Sequence, residues 1–391
     1  MTDPFADIRP FSDAEVRPTI ERLLGSREFL TAMLRLRLGA GAEHFAWLLR
    51  PLARYSINRQ FRHVHSVLDL QVLVKAYVER MIESTTTGFS VSGLDLLDSA
   101  EAYLFISNHR DIAMDPAFTN YALYSAGHDT LRIAIGDNLL TEQWVADLMR
   151  LNKSFIVQRS LSGPRELLAA SQLLARYIRS SVQEDQVPVW IAQREGRAKD
   201  GVDRTEPAII KMLSLSRDKQ SESFAEHIAG LRIVPVTISY ELDPCDAMKS
   251  RELASRSATG GYEKAVQEDV ASIGQGIAGD KGRVHVSFGT PLDGPLDNPA
   301  VVATAIDAQI VANYRLHPPN LWAYQRLYGE PSLSVSESSD ATSSGIQVAT
   351  GSCSEEQFDA RIAAMPEAQR PFALAAYANA FRGALELAGA T

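Results

Sequence analysis

A histidine with two carboxylates close behind it marks the stretch Asn108-His109-Arg110-Asp111-Ile112-Ala113-Met114-Asp115. An apolar, strand-like run, Tyr103-Leu104-Phe105-Ile106, precedes it, and a helix-like run follows. The histidine therefore falls at a strand-to-helix turn. That arrangement suits a general base: imidazole takes a proton near neutral pH, and a carboxylate fixes its tautomer and stabilises the imidazolium. Asp111 and Asp115 are both candidates for the carboxylate. Asp115 is the better placed, because Asp115-Pro116 reads as the start of the next helix, where an aspartate can also serve as a cap.

Three further segments follow in order: Lys153-Ser154-Phe155-Ile156-Val157-Gln158-Arg159, Gln193-Arg194-Glu195-Gly196-Arg197, and Val234-Pro235-Val236-Thr237-Ile238-Ser239-Tyr240-Glu241. Together the four resemble the blocks of the glycerolipid acyltransferases, which acylate glycerol-3-phosphate or lysophosphatidate. The resemblance covers roughly residues 86 to 290. It departs from the family pattern at three places. Met114 holds the place of the first block's aspartate, with Asp115 one residue on. Lys153 stands where the second block has glycine. Ala198 stands where the third block has arginine, and Arg197 directly follows Gly196. The fourth block matches closely and looks more like the glycerol-3-phosphate branch.

The resemblance implies an enzyme that moves a fatty acyl group from a thioester, on coenzyme A or an acyl-carrier protein, to a hydroxyl of glycerol-3-phosphate or a lysophospholipid. His109 is then the base, partnered by Asp115 or Asp111. Arg159 and Arg197 grip the acceptor's phosphate, for which the planar guanidinium fork is suited. Glu195 positions Arg197 or binds an acceptor hydroxyl, and Gly196 lets the backbone pass close to a ligand. Pro235 shapes the end of its strand and the substrate pocket. Lys153 and Lys199 read as solvated surface charges. Neither a metal nor a bound cofactor is implied.

Two other readings remain. One is a lipid- or acyl-chain-binding protein that kept the fold and lost turnover, which the displaced aspartate and arginine favour. The other is a metal-dependent phosphohydrolase built on His109, His128, Asp129 and Asp147; such enzymes are helical, and the strand-like runs oppose it. A serine acyl-enzyme is disfavoured by the lack of a Gly-x-Ser-x-Gly elbow. His63-Val64-His65 stands without a clustered ligand set at a recognised metal spacing.

The elements that must position these residues alternate. Strand-like runs occur at residues 89–91, 102–106, 131–135, 155–157, 187–191, 233–240 and 284–288, with helix-like runs such as 164–181 and 205–215 between them. Alternation of this kind predicts an α/β domain with a mostly parallel or mixed sheet flanked by helices. In such sheets the strand ends and the loops after them build the site. Residues 1–85 read as an N-terminal helical region, 86–318 as the α/β domain, and 319–391 as a C-terminal extension. The extension comprises a serine-rich linker, Ser332 to Gly345, and one or two alanine-rich helices over 355–388.

Composition sets outer bounds. The chain of 391 residues is 45% hydrophobic and 22% charged, ordinary for a globular protein with a sizeable core. A net charge of -9 argues against general nucleic-acid binding. Two cysteines cannot make a framework of bridges, so a reducing, cytoplasmic compartment is expected. Neither a signal peptide nor an apolar run of membrane-spanning length is visible. Between Arg27 and His65, however, lie seven arginines and only two acids, Glu28 and Glu43, among Phe29, Leu30, Phe45, Trp47, Leu48 and Leu49. This reads either as an interfacial helix pair resting on anionic lipid, at the inner face of a membrane, or as a helical cap packed on the catalytic domain.

Overall fold

The computed structural model describes residues 3–39, 41, 45–140, 142–265, 268–337 and 346–389. Four helices come first: α1 (Asp13–Gly25), α2 (Arg27–Leu38), α3 (Ala46–Phe61) and α4 (Val67–Thr85). Ser12 and Glu15 open α1 as their spacing predicts, the Glu15 carboxylate accepting from the Ser12 amide at 2.8 Å. Val16, Ile20, Leu23, Phe29, Leu30, Ile57 and Leu70 form the core of this region. Glu43 lies outside the described residues, as does the side chain of Arg37.

The α/β region then runs β1 (Gly88–Ser92), β2 (Leu104–Ser107), α5 (Met114–Ser125), β3 (Arg132–Gly136), α6 (Gln143–Leu151), β4 (Ser154–Val157), α7 (Pro164–Gln183), β5 (Val189–Ala192), α8 (Pro207–Leu213), α9 (Phe224–Gly230), β6 (Ile233–Tyr240), α10 (Asp246–Thr259), α11 (Glu268–Ala278) and β7 (Arg283–Phe288). All seven strand-like runs are strands of one sheet, in the order β1-β7-β6-β2-β5-β3-β4. Every neighbour pair is parallel except β6 with β7. The central strands are largely apolar because both faces are covered; all eight residues of β6 are buried, Thr237 and Ser239 included. Along β2, Leu104 and Ile106 join one core cluster and Phe105 the opposite one, as the two-residue strand period requires.

The chain ends with α12 (Pro299–Ala312), α13 (Pro318–Tyr328), β8 (Val335–Glu337), β9 (Ile346–Val348), α14 (Glu355–Ala363) and α15 (Arg370–Leu387). Val335 to Glu337, expected within a serine-rich linker, pairs in parallel with β9 instead. Residues 338–345 of that linker lie outside the described residues. The two alanine-rich helices do not trail away. Phe358, Ile362, Ala373, Tyr377 and Ala378 bury themselves against Leu242 and Ala323. Small alanine side chains allow this close helix packing, with aromatic rings filling the gaps: Phe358 meets Tyr377 edge-on at 5.2 Å.

Candidate active site

β2 delivers His109 to the carboxyl-terminal edge of the sheet, and α5 begins five residues later. That phase places Asp115 in the first turn of α5, pointing back at the strand end. Its Oδ2 lies 2.9 Å from His109 Nδ1. The same oxygen accepts from the amides of Arg110 at 2.6 Å and Asp111 at 2.9 Å. Its Oδ1 accepts from the Tyr240 hydroxyl at 2.7 Å. Asp115 is fully buried, and these four contacts replace the water it has lost. Burial, then the charge of Asp115, pushes the Tyr240 phenol well above its ordinary range, so Tyr240 stays a donor. With Nδ1 engaged by the carboxylate, Nε2 is the histidine nitrogen available to a substrate. The ring sits edge-on to Trp190 at 5.7 Å.

Asp111 does not partner the histidine. Its Oδ1 accepts from the amides of Ala113 at 3.0 Å and Met114 at 2.9 Å, capping the start of α5. It is buried against α11, where a Cβ on Gly276 would lie 2.2 Å from Asp111 Oδ2. Burial, and then the neighbouring Asp115, raises its pKa.

A cavity of about 700 Å³ opens beside His109. Its lining includes Gly136, the last residue of β3, and Thr130, two residues before that strand begins, so it extends past the length of the strand. Six residues at ~3.3 Å rise give about 20 Å. Along it Val74 and Val78 of α4, Ala117 and Tyr121 of α5, Ile133, Phe155 and Leu174 make apolar walls. Toward His109 the lining is polar and cationic, with Arg159, Arg194, Glu195, Gly196, Arg197 and Lys199.

These cations are held unequally. Arg159, just beyond β4, is 35% exposed and meets Glu195, itself 72% exposed, at 3.5 Å. Arg197 Nη1 donates to Ser272 Oγ of α11 at 2.7 Å. Gly196, between them, has φ +70° and no atom within 4 Å of where a Cβ would stand, so the backbone there is open to a ligand. Ala198, in the place of the expected arginine, is buried and its amide donates to the His109 carbonyl at 2.8 Å. That bond ties the Glu195 loop to the histidine.

Three expectations need correction. Pro235 does not line the cavity: it is buried in β6 opposite Ile106, and its carbonyl accepts from the Gly289 amide at 2.8 Å. Lys153 is not a solvated charge. Its Nζ donates to the carbonyl and hydroxyl of Thr130, both at 2.7 Å, and burial lowers its pKa to about 8. Lys199 is likewise held, by Glu252. Of the phosphohydrolase set, Asp147 is paired with Arg22 of α1 at 3.0 Å. Among the described residues no cluster of histidine, cysteine and carboxylates could hold a metal ion.

Sequence reasoning also missed residues. Tyr240 was visible as part of the fourth block, but its contact with Asp115 joins positions 125 apart in the chain. Arg110, behind His109, is buried with Nη2 2.6 Å from Asp203 Oδ2 and its guanidinium over the Tyr314 ring. Burial opposes its charge, but Asp203, with Tyr314 and Asp243, more than offsets this and its pKa is raised.

Residues 88–239 match the family model described as Acyltransferase. Among solved structures it is similar to the 1-acyl-sn-glycerophosphate (LPA) acyltransferase PlsC from Thermotoga maritima, at 11% identity and a TM-score of 0.37 over 73% of this chain and 95% of that one. No curated protein sequence matches.

Proposed function

We propose that this protein transfers a fatty acyl group from a thioester, on coenzyme A or acyl-carrier protein, to a hydroxyl of glycerol-3-phosphate or a lysophospholipid. One observation carries the reading: the His109–Asp115 pair stands where a long apolar cavity meets a cluster of guanidiniums. The acyl chain occupies the apolar length, and the acceptor's phosphate faces Arg159 and Arg197.

The chemistry follows from that placement. His109 Nε2 takes the proton of the acceptor hydroxyl as its oxygen attacks the thioester carbonyl carbon. Asp115 holds the imidazolium that forms. The tetrahedral intermediate collapses, the carbon–sulfur bond breaks, and the thiolate recovers the proton from His109. An ester and a free thiol result. No covalent enzyme intermediate is formed.

The acyl product belongs in a bilayer, and no described helix is long and apolar enough to cross one. Contact at the surface is the remaining route, through α3. Trp47 is 71% and Leu52 66% exposed there, with Phe45, Leu48 and Tyr55 also exposed. Arg50 and Arg54 lie among them. On this reading the protein works peripherally, on the cytoplasmic face of a membrane.

Purified protein with a radiolabelled acyl thioester and a panel of glycerol-3-phosphate, lysophosphatidate and other lysolipids tests the reading. Labelled product with one acceptor is expected. Saturable binding of the acyl chain with no product from any acceptor establishes the non-catalytic binder instead.

A further inference from the structure

The family match ends at residue 239, yet residues 351–377 reach back to the histidine by two routes. The first runs through Glu241. Its carboxylate accepts from the amides of Ser352 at 2.6 Å and Cys353 at 2.8 Å and from Ser352 Oγ at 2.7 Å. Glu241 is adjacent to Tyr240, whose hydroxyl donates to Asp115.

The second route runs through the turn after β6. Arg361 of α14 donates from Nε to Asp246 Oδ2 at 2.6 Å and from Nη2 to the Asp243 carbonyl at 2.8 Å. Tyr377 of α15 donates to Asp246 Oδ2 at 2.8 Å and accepts from the Asp243 amide at 3.0 Å. Asp243 in turn pairs with the buried Lys249, whose Nζ donates at 2.6 Å to the carbonyl of Arg110, the residue after His109. The helix α15 also meets the far end of the Glu195 loop: Asn379 Nδ2 donates to the Asp200 carbonyl at 2.8 Å. A Cβ on Gly201 would lie 2.0 Å from the Ala376 carbonyl.

We propose that the C-terminal segment 351–377 is a clamp that positions His109, acting through Glu241–Tyr240–Asp115 on one side and Asp243–Lys249–Arg110 on the other. This rests on the acyl-transfer reading of the site. Arg361, Tyr377 and Ser352 are positioning residues and touch no substrate. All the groups along both routes are hydrogen-bonded, so a displacement at one end has few ways to be absorbed before it reaches the imidazole.

The test uses full-length protein with ¹⁵N-labelled histidine. The Nδ1 proton of His109, donated to a buried carboxylate, is read as a downfield resonance and assigned by its loss in His109→Gln. Tyr377→Phe removes one hydroxyl and Ser352→Ala another. Each should move or broaden that resonance and lower kcat roughly ten- to a hundredfold with KM for the acceptor unchanged. Arg361→Met should do the same, and Arg361→Lys should recover part of the loss. Should Tyr377→Phe fold poorly, the milder Ser352→Ala and Arg361→Lys carry the same readouts. A fall in thermal midpoint with the resonance and the turnover per folded molecule unmoved overturns the clamp. If the parent shows no acyl transfer, the functional reading fails, while the resonance alone still decides the clamp.

Discussion

His109 and Arg159 lie at the same edge of the sheet and are held in opposite ways. His109 faces a carboxylate that is wholly buried and fully bonded, backed by Tyr240 and two backbone amides. Arg159 is a third exposed, with one long contact to a still more exposed glutamate. The difference matches the two tasks proposed for them. Proton transfer needs the nitrogen in place before the substrate arrives, since reorganising at the moment of reaction costs rate. Gripping a phosphate needs guanidinium donors left free for it, and Arg159 spends few of them on protein.

The comparison breaks hardest at the histidine. His109→Ala should lower turnover by about 10²–10⁴-fold with the fold intact. Circular dichroism checks the fold and the acyl-transfer assay the rate. Comparable turnover by variant and parent removes His109 as the base.

The two aspartates sharpen it. Asp115→Asn keeps the shape but alters the tautomer that the histidine is offered, so kcat should drop by roughly 10². Asp111→Asn retains the oxygen that caps α5 and should stay within about threefold of the parent. The reverse order in kcat makes Asp111 the partner.

At the loose side of the comparison, Arg159→Ala and Arg197→Ala should act mainly on acceptor binding. Loss of a charge-assisted contact costs about 1.5–3 kcal/mol, a rise in acceptor KM of roughly ten- to a hundredfold. Arg159→Lys should restore only part of this, because an ammonium lacks the planar fork. A rise confined to the KM of the thioester moves these arginines to the donor's site.

The same contrast explains what the amino-acid sequence could show. Strands announce themselves by apolar runs such as Ile233 to Tyr240, because a doubly covered sheet tolerates little else. The histidine and its acids are neighbours in sequence, so the dyad was visible, and only the phase of α5 was needed to choose Asp115 over Asp111. Tyr240, Lys249 and Tyr377 were beyond reach as site residues, since each acts across more than a hundred positions. A tyrosine or lysine in a strand end or helix carries no mark of such a contact. Pro235 misled for the opposite reason: its motif pointed to the pocket, whereas the register buries it inside the sheet. Lys153 looked solvated because lysine usually is, and its bonds to Thr130 depend on a positive φ of 59° that the sequence does not advertise.

The smallest effects are expected away from the sheet, at α3 and α4, where the proposed function puts the contact with a bilayer. The helix α4 has two faces of different fate: Val74 and Val78 line the cavity, while Leu68 and Val72 are exposed. A surface that takes the exposed face therefore lies one helix away from the route proposed for the acyl chain. Each basic residue near anionic lipid contributes roughly 1 kcal/mol, or about fivefold in affinity, and salt screens it. Vesicle sedimentation should show binding that rises with the anionic fraction and falls with added salt. Arg50→Gln, Arg54→Gln and Arg62→Gln should each weaken it by about fivefold, and the three together by more than any one alone. None of them should alter turnover with water-soluble glycerol-3-phosphate, because none lines the cavity beside His109. Trp47→Ala should weaken binding at every lipid charge, since its contribution is burial of an aromatic ring and salt does not screen that. Binding indifferent to lipid charge, salt and these arginines leaves α2 and α3 as a helical cap on the domain, with their arginines merely solvated.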